Sequence, residues 1–294
     1  MTSTRRTFLK TATVCGAALV LPFGKTPANL FGLESQRGFK VGICDWNVNG
    51  YMADPECFAV AKELGFQGVQ VSYTLDGKYS MRKNSENRKL FLDAAKKTDM
   101  EFSSLAMGLL NGRPFAREAD AENWVLDCLD AMKELEVEAV LLAFFGEGEL
   151  KDKPEDQKST IEKLKRLAPQ AEKLGKILAI ESYLSAEEHL RIIDAVGSDA
   201  VKVYYDVQNM TNKGYDIFQE IDLLGKKKLI TEVHLKDDVK RLENSRIDLK
   251  RVRKSLEAVD YYGWLVVESA VEGDWKESQA ANAKFVRNLF EIKG

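Results

Sequence analysis

From about residue 38 onward, short apolar runs rich in β-branched residues alternate with longer segments in which apolar residues recur every three or four positions. The short runs are typical of buried strands, and the longer segments are typical of amphipathic helices. Such alternation indicates βα units around a parallel sheet. The pattern predicts eight strands, over Phe39–Cys44, Gly68–Ser72, Phe102–Ala106, Ala139–Phe144, Ile177–Glu181, Val201–Asp206, Thr231–Leu235 and Leu265–Glu268.

Helix signals fill the gaps between these strands. Asp54 and Pro55 predict an N-cap and a first-turn proline, and Gly65 predicts the end of the same helix. Ser185, with Glu188 three residues later, predicts a capping box at the start of another helix. A period of about 3.6 residues predicts three further helices, over Ser159–Leu174, Asp248–Val259 and Lys276–Ile292.

The number of predicted strands is the number that closes a (β/α)8 barrel. The 294 residues are 45% hydrophobic, which is enough for one large core, and no linker or low-complexity tract divides them. The predicted fold is therefore an α/β TIM barrel, as a single domain over residues 36–294. A doubly wound open sheet is the main alternative. No Gly-x-Gly-x-x-Gly turn follows the first strand, so a dinucleotide site has no support.

Four successive predicted strands carry a polar residue at their last position or, in the seventh strand, one position before it, although buried parallel strands normally read as continuous apolar runs. In a closed barrel, such positions meet at the C-terminal mouth, where these folds carry their active sites. The four residues are Glu181, Asp206, His234 and Glu268, separated by 25, 28 and 34 positions, each about one βα unit.

Three carboxylates brought together without a cation would repel one another and resist ionisation. One divalent metal ion removes this cost, and an oxygen-rich set with a single imidazole suits Mn²⁺, Co²⁺, Mg²⁺ or Zn²⁺. Taken singly, each residue is more often a helix cap or a salt-bridge partner, but four on successive strands favour a metal site. The other histidine, His189, is predicted to lie on the outer face of its helix as an ordinary surface residue.

The N-terminus carries the features of an export signal. Thr4-Arg5-Arg6-Thr7-Phe8-Leu9-Lys10 precedes the mostly apolar run Ala12–Phe23, which is too short for a good membrane span. The paired arginines resemble a twin-arginine signal, which implies export of the folded protein, its metal acquired in the cytoplasm. We therefore predict a signal peptide over residues 1–28, a periplasmic or otherwise exported protein, and no stable membrane association once the signal is removed.

The net charge of the chain limits the classes of partner that it can bind. Residues 1–28 contain four basic residues and no acidic one, so their removal lowers the formal net charge from -3 to -7. An acidic chain argues against nucleic acid as a partner, while a homo-oligomer is compatible with the sequence.

Outside the signal, which contains Cys15, the cysteines form neither a disulfide framework nor a CxxC site. Cys44, Cys57 and Cys128 are predicted to be small buried residues, with a Cys44 pair or a reactive Cys44 thiol as the alternative.

Five short segments carry a resemblance to a known family: Leu64-Gly65-Phe66-Gln67-Gly68-Val69, Ile180-Glu181, Tyr205-Asp206-Val207-Gln208-Asn209, His234-Leu235-Lys236-Asp237 and Val267-Glu268. In their order and spacing, over roughly residues 38–292, they resemble the xylose isomerase-like barrels, in particular the sugar phosphate isomerases/epimerases and the ketose 3-epimerases. The resemblance implies an isomerase or epimerase that acts on a keto-sugar or sugar derivative.

The same resemblance implies roles for individual residues. Glu181, Asp206, His234 and Glu268 would bind one metal ion, and the two glutamates would move protons on opposite faces of a substrate that passes through an enediolate. Substrate-binding roles are implied for Asn209, Glu187, Lys236 and Trp46. The structural alternatives are a turn residue for Asn209 and a first-turn helix acid for Glu187. For Lys236 the alternative is a pair with Asp237, and for Trp46 it is core packing. Gln70, where many relatives carry Glu, and Lys240, near an arginine of the epimerases, depart from the family pattern.

Three other functions compete with isomerisation. The same metal shell could cleave or dehydrate a 3-keto-glycoside by β-elimination, since only the pose of the substrate decides what becomes of the enediolate. Nucleases that share this barrel bind three zinc ions, and they need more histidines than the two present here. A sugar-binding protein without catalysis would not require two facing bases such as Glu181 and Glu268.

Overall fold

Residues 38–271 and 273–293 are described by a computed structural model. Within them, eight parallel strands form a closed barrel in which each strand pairs with the next and the last pairs with the first. This topology confirms the predicted (β/α)8 barrel and rules out the doubly wound open sheet. The strands are β1 (Lys40–Cys44), β2 (Gly68–Ser72), β3 (Glu101–Met107), β4 (Ala139–Phe144), β5 (Ile177–Ser182), β6 (Val201–Asp206), β7 (Ile230–Asp237) and β8 (Trp264–Ser269).

Helices connect the strands on the outside of the barrel. The described part of the chain contains α1 (Cys57–Glu63), α2 (Ser85–Thr98), α3 (Ala121–Glu134), α4 (Pro154–Leu174), α5 (Ala186–Val196), α6 (Val207–Asn212), α7 (Ile217–Lys226), α8 (Leu249–Ala258) and α9 (Trp275–Phe290). None of these helices is long and apolar enough to span a bilayer.

Two helix starts differ from the sequence prediction. The helix α4 begins five residues early, because Pro154 occupies its first turn, where no backbone N–H is needed. The predicted cap at Asp54 is wrong in position, since α1 begins only at Cys57. The Asp54 carboxylate instead accepts a hydrogen bond from the Glu56 backbone N–H at 3.0 Å, within a turn that precedes the helix. The predicted capping box of Ser185 and Glu188 at the start of α5 is confirmed.

The apolar core has two layers. The larger layer lies between the strands and the surrounding helices, and a smaller one fills the barrel interior with side chains such as Leu141, Ala179 and Val266. Along β7, residues two positions apart share the inward face. Glu232, His234 and Lys236 therefore follow one another inside the barrel from its middle to its C-terminal mouth.

His189 is buried, so the prediction of a surface residue is wrong. Its side chain is 2% exposed, because it precedes Ile192, Ile193 and Val196 by three, four and seven positions and shares their buried face. Its Nδ1 lies 3.0 Å from the carbonyl oxygen of Ser185, and its Nε2 lies 3.0 Å from the Ser182 hydroxyl. A carbonyl oxygen only accepts, so Nδ1 carries the proton and Nε2 accepts from Ser182.

This neutral histidine makes the protein sensitive to acid. Burial lowers the pKa of His189 from 6.5 to about 4, so the folded chain binds fewer protons than the unfolded chain between these values. The stabilisation is complete above the upper pKa and is lost as the pH falls through the lower one. We expect His189→Leu to reduce the loss of unfolding free energy between about pH 7 and about pH 4.5 by about 2 kcal/mol. Urea denaturation at both pH values measures the loss, and an equal loss in both proteins would contradict the prediction.

The cysteine prediction holds where the structure describes the chain. Cys44, Cys57 and Cys128 are all buried and free. Burial raises the pKa of each thiol, which argues against a reactive thiolate at Cys44. Residues 1–28, the predicted signal with its Cys15, lie outside the described residues.

Candidate metal centre

The register of the last four strands brings the four predicted ligands together. Asp206 on β6 is the direct partner of His234 on β7, and Glu268 on β8 is the partner of Lys236, two positions after His234. Glu181 lies near the end of β5, which pairs with β6. Because all strands are parallel, these side chains leave the sheet at one end of the barrel.

The imidazole of His234 lies at the middle of this group. Its Nδ1 is 3.0 Å from Glu181 Oε1, 3.3 Å from Glu268 Oε2 and 3.8 Å from Asp206 Oδ2. One ligand atom from each of the four residues lies within 4.8 Å of all the others. The predicted convergence of these side chains on one centre is therefore confirmed.

The chemistry of the group fits a divalent cation. Asp206 is fully buried, and its Oδ2 has no hydrogen-bond partner among the described residues. Burial raises the pKa of Asp206 to about 7. Its Oδ1, by contrast, accepts a hydrogen bond from the Asn209 backbone N–H at 2.8 Å and caps α6. Lys236 Nζ lies 3.7 Å from this Oδ2, which is beyond hydrogen-bonding distance. Three carboxylates around one buried point carry more negative charge than Lys236 and His234 can balance, so a divalent cation would lower the cost of burying them.

The two oxygens of Glu268 have different partners. Oε1 accepts hydrogen bonds from Trp46 Nε1 at 3.3 Å and from Lys236 Nζ at 2.9 Å, whereas Oε2 faces His234. Burial by itself lowers the pKa of Lys236, but the charges of Glu268 and Asp206 raise it above its ordinary value. Lys236 is therefore a fixed positive charge beside the centre, and together with Trp46 it orients the Glu268 carboxylate.

Lys236 and Asp237 do not pair with each other. The Asp237 side chain leaves the opposite face of β7 and accepts hydrogen bonds from Ser245 Oγ at 2.9 Å and from the Arg246 backbone N–H at 3.0 Å. It therefore anchors the loop after β7, while Lys236 points into the barrel mouth.

A buried hydrogen-bonded chain below the centre fixes the orientation of His234. Tyr204 and Ser104 donate to the carboxylate of Glu232 at 3.0 and 2.9 Å. Since the Ser104 hydroxyl donates there, its oxygen accepts from the side-chain amide of Gln70 at 2.9 Å. The Gln70 carbonyl oxygen therefore faces His234 Nε2 at 2.8 Å.

This arrangement assigns a proton to His234 Nε2, because the Gln70 carbonyl oxygen can only accept. Nδ1 faces the three carboxylates: without a cation it donates to Glu181 Oε1 at 3.0 Å, and with a cation bound it would present its lone pair. The Cys44 thiol lies on the Nε2 side, 3.5 Å from that nitrogen and 3.4 Å from Gln70 Oε1. Gln70, a departure from the family pattern, thus helps to orient the His234 imidazole.

We expect Gln70→Leu to weaken divalent-metal affinity by about 10- to 100-fold, because His234 loses the acceptor that sets its tautomer. Isothermal titration calorimetry with Mn²⁺ measures the change. Gln219→Leu, the same replacement at an exposed position on α7, is the matched control. Unchanged affinity in a folded Gln70→Leu protein would show that His234 keeps its orientation without Gln70.

A cavity of about 450 Å³ lies above the centre, and we call it the metal-centre cavity. A size in this range, with a few convergent polar groups, is typical of small-molecule sites. Its aromatic walls include Phe145 and Tyr183, whose ring centroids are 4.7 Å apart. Polar and charged side chains reach it from several strands, namely Asn111, Glu181, Asn209, Lys236 and Glu268, and Trp46 completes the wall.

Comparison with known proteins agrees with this geometry. The family described as xylose isomerase-like TIM barrel matches residues 58–289. The chain belongs to this family. Comparison with curated proteins finds no significant sequence match.

Solved structures of several sugar epimerases share the fold. The apo 3-keto-D-glucoside 4-epimerase from E. coli superposes with a TM-score of 0.70 at 16% identity, covering 85% of this chain and 99% of its own. D-psicose 3-epimerase with D-tagatose, from Clostridium cellulolyticum H10, gives 0.71 at 17% identity, with 86% and 99% covered. An L-ribulose 3-epimerase gives 0.69 at 17% identity, with 86% and 95% covered.

The structure does not bring Glu187 to the other predicted site residues of this xylose isomerase-like barrel. Glu187 is exposed in the first turn of α5 and lines a separate cavity with Tyr215 and Asp216. Trp46, Asn209 and Lys236 do line the metal-centre cavity. Lys240 is exposed and is not among the residues that line that cavity.

Sequence reasoning missed other residues of the site. Asn111, Phe145 and Tyr183 line the cavity from segments that follow β3, β4 and β5, where no periodic pattern marks them. A buried acid after β1 was also missed: Asp45 accepts hydrogen bonds from Ser72 Oγ at 2.7 Å and from the Ala53 backbone N–H at 2.8 Å. Asp45 therefore ties the first loop to β2, which shows that an acid at a strand end need not join the metal centre.

Proposed function

We propose that this protein is a metal-dependent sugar isomerase or epimerase that acts on a keto-sugar or sugar derivative. The observation that carries the proposal is the position of the two glutamates, with Glu181 Oε1 at 3.0 Å and Glu268 Oε2 at 3.3 Å from the same His234 nitrogen. Two carboxylates beside one buried imidazole, open to a cavity of small-molecule size, form a proton-transfer site with room for a sugar.

Glu181, Asp206, His234 and Glu268 would hold one divalent ion, of which Mn²⁺, Co²⁺, Mg²⁺ and Zn²⁺ all suit the donor set. When bound, such an ion polarises the substrate oxygens and stabilises the negative charge that develops on them. One glutamate takes the proton from the carbon next to the carbonyl, and the other returns a proton to the opposite face. Lys236 holds Glu268 in place and adds positive charge beside the reacting oxygens.

The three solved relatives described above support a carbohydrate substrate, because each is named for an epimerisation of a sugar or sugar derivative. The wall of the metal-centre cavity is also suited to a sugar. Trp46 and Tyr183 supply aromatic surface to this wall, and Asn111 and Asn209 supply side-chain amides that can bond to hydroxyls.

Metal analysis and proton exchange test the proposal. We expect protein purified without chelator to contain about one divalent ion per chain, consistent with a single group of ligands. In D₂O it should exchange deuterium into D-psicose, D-tagatose or a 3-keto-glucoside next to the carbonyl. EDTA should stop the exchange, and added Mn²⁺ or Co²⁺ should restore it. Exchange that persists after complete removal of the metal would overturn the proposed chemistry.

A β-elimination on a 3-keto-glycoside is the second candidate. It is favoured by the 3-keto-D-glucoside named for the E. coli relative and by a side cavity described below. In this reaction a glutamate takes the proton next to the carbonyl, the C–O bond on the following carbon breaks, and the leaving oxygen takes up a proton. Release of an aglycone, without an epimer, would identify this reaction.

We further propose that the protein is exported by the twin-arginine route, on the strength of Arg5 and Arg6 before the apolar run. Cell fractionation of the full chain tests this. Arg5→Lys with Arg6→Lys keeps the charge but should retain the protein in the cytoplasm, and unchanged export would contradict the proposal.

A further inference from the structure

The metal-centre cavity continues into a second cavity of about 320 Å³, which we call the side cavity. Both cavities are lined by Met52, Ser72, Ala106 and Gly108. A Cβ added at Gly108 would meet no atom within 4 Å, so the space beside this shared residue is open. The two cavities therefore form one continuous cleft at the barrel mouth.

The side cavity has walls of its own. None of the four candidate metal ligands lines it. It is bounded by the segment after β2 and the turn after β3, through Tyr73, Thr74, Leu75, Asp76, Leu109 and Arg113. A group held there would touch the protein without reaching the reacting centre.

The chemistry of these walls suits a ring with an apolar face and polar edges. Leu75 and Leu109 provide apolar surface, and Asp76 and Arg113 provide charged groups that can bond to hydroxyls. Met52, at the junction, is 59% exposed, which is unusual for a large apolar side chain. An exposed methionine beside a cleft is a flexible apolar contact for a ligand.

We propose that the substrate is a glycoside, with its reacting sugar in the metal-centre cavity and a second ring, attached through the glycosidic oxygen, in the side cavity. This inference rests on the proposed function for the position of the reacting sugar. It adds a binding subsite for the second ring, built by Met52, Leu75 and Leu109. The second ring is a sugar or an aromatic group, since both present the same combination of apolar face and polar edge.

Binding of unoxidised glucosides tests the subsite separately from catalysis. We expect the Mn²⁺-loaded protein to bind phenyl glucoside or cellobiose about tenfold more tightly than methyl glucoside, which corresponds to about 1.4 kcal/mol. Ligand-observed NMR titrations of α and β anomers measure the dissociation constants. A preference for the phenyl compound identifies an aromatic group, and a preference for cellobiose identifies a second sugar.

Two substitutions confirm where the second ring lies. Leu109→Trp fills the side cavity, and Leu75→Ala removes one apolar wall, so both should reduce the tenfold preference toward one. Leu90→Trp on the exposed face of α2 is the matched control and should keep the preference. Equal binding of long and short glucosides by the unaltered protein, no detectable binding of any, or a preference that survives both substitutions, would overturn the subsite.

The binding test of the subsite and the exchange test of the proposed function can fail independently of each other. Deuterium exchange into keto-sugars without a preference for the longer glucosides would retain the proposed function and exclude the subsite. A preference without any exchange would retain the subsite and exclude the isomerase.

Discussion

Replacing Glu268 by Gln is expected to slow deuterium exchange into a keto-sugar by about 10²- to 10⁴-fold, the range associated with loss of a general base. The amide keeps the size of the side chain, and its oxygen can still accept from Trp46 and Lys236, which contact Oε1. The replacement therefore removes a base and a negative charge while largely preserving the packing. Glu181→Gln should have an effect of the same order, because Glu181 also lines the cavity and lies 3.0 Å from His234 Nδ1, against 3.3 Å for Glu268.

Glu187→Gln is the matched control, since it makes the same chemical change on the exposed face of α5 and away from the centre. It should exchange at the unaltered rate. Metal content is measured on each variant, and assays at saturating Mn²⁺ separate weak metal binding from loss of the base. Full exchange by Glu268→Gln with bound metal would exclude Glu268 as a base.

Replacing Asp206 by Asn is expected to weaken divalent-metal affinity by more than about 100-fold, because partners of ligands alone account for 10- to 100-fold. The asparagine oxygen can keep the cap on the Asn209 N–H, so α6 should begin where it does now. The buried Oδ2, however, is replaced by an NH₂ group that cannot coordinate a cation. Isothermal titration calorimetry gives the affinity, and Asp216→Asn, at the N-cap of α7, is the control.

Asp206→Asn, which should weaken metal binding, should nevertheless stabilise the metal-free protein at alkaline pH. Burial raises the pKa of Asp206 from 3.8 to about 7, so the folded chain binds the proton more tightly than the unfolded chain. Stability of the chelator-treated protein therefore falls as the pH rises between these values. Asp206→Asn should lack that fall, so its free energy of unfolding should exceed that of the unaltered protein at about pH 8. A lower value for the variant would contradict the prediction.

The sequence was sufficient to predict the strands and the convergence of four polar side chains, because the same physical rule marks both. A buried parallel strand is normally apolar throughout, so Glu181, Asp206, His234 and Glu268 were visible as exceptions at intervals of about one βα unit. The eight parallel strands close into a barrel, and this closure brings the ends of the last four strands together at one mouth. Local turn chemistry was less decisive, as the later start of α1 after Asp54 and Pro55 shows.

Other features depend on contacts between distant parts of the chain. Gln70 and His234 are 164 positions apart, and only barrel closure brings them within 2.8 Å. The burial of His189 follows from its face of α5, but a histidine there is acceptable only because Ser182 and Ser185 satisfy both ring nitrogens. Cavity-lining residues such as Asn111 and Tyr183 come from loops, whose positions no periodicity specifies.

The inward face of β7 has a consequence for how this barrel can vary. Glu232, His234 and Lys236 occupy alternate positions of one strand, between Val233 and Leu235, which lie in the outer apolar layer. Inserting a single amino acid at the start of this strand would exchange the two sets, because side-chain direction reverses at every step. Glu232, His234 and Lys236 would then all point away from the barrel interior. We therefore expect insertions and deletions within β7 to be tolerated far less than insertions and deletions in the loops on either side.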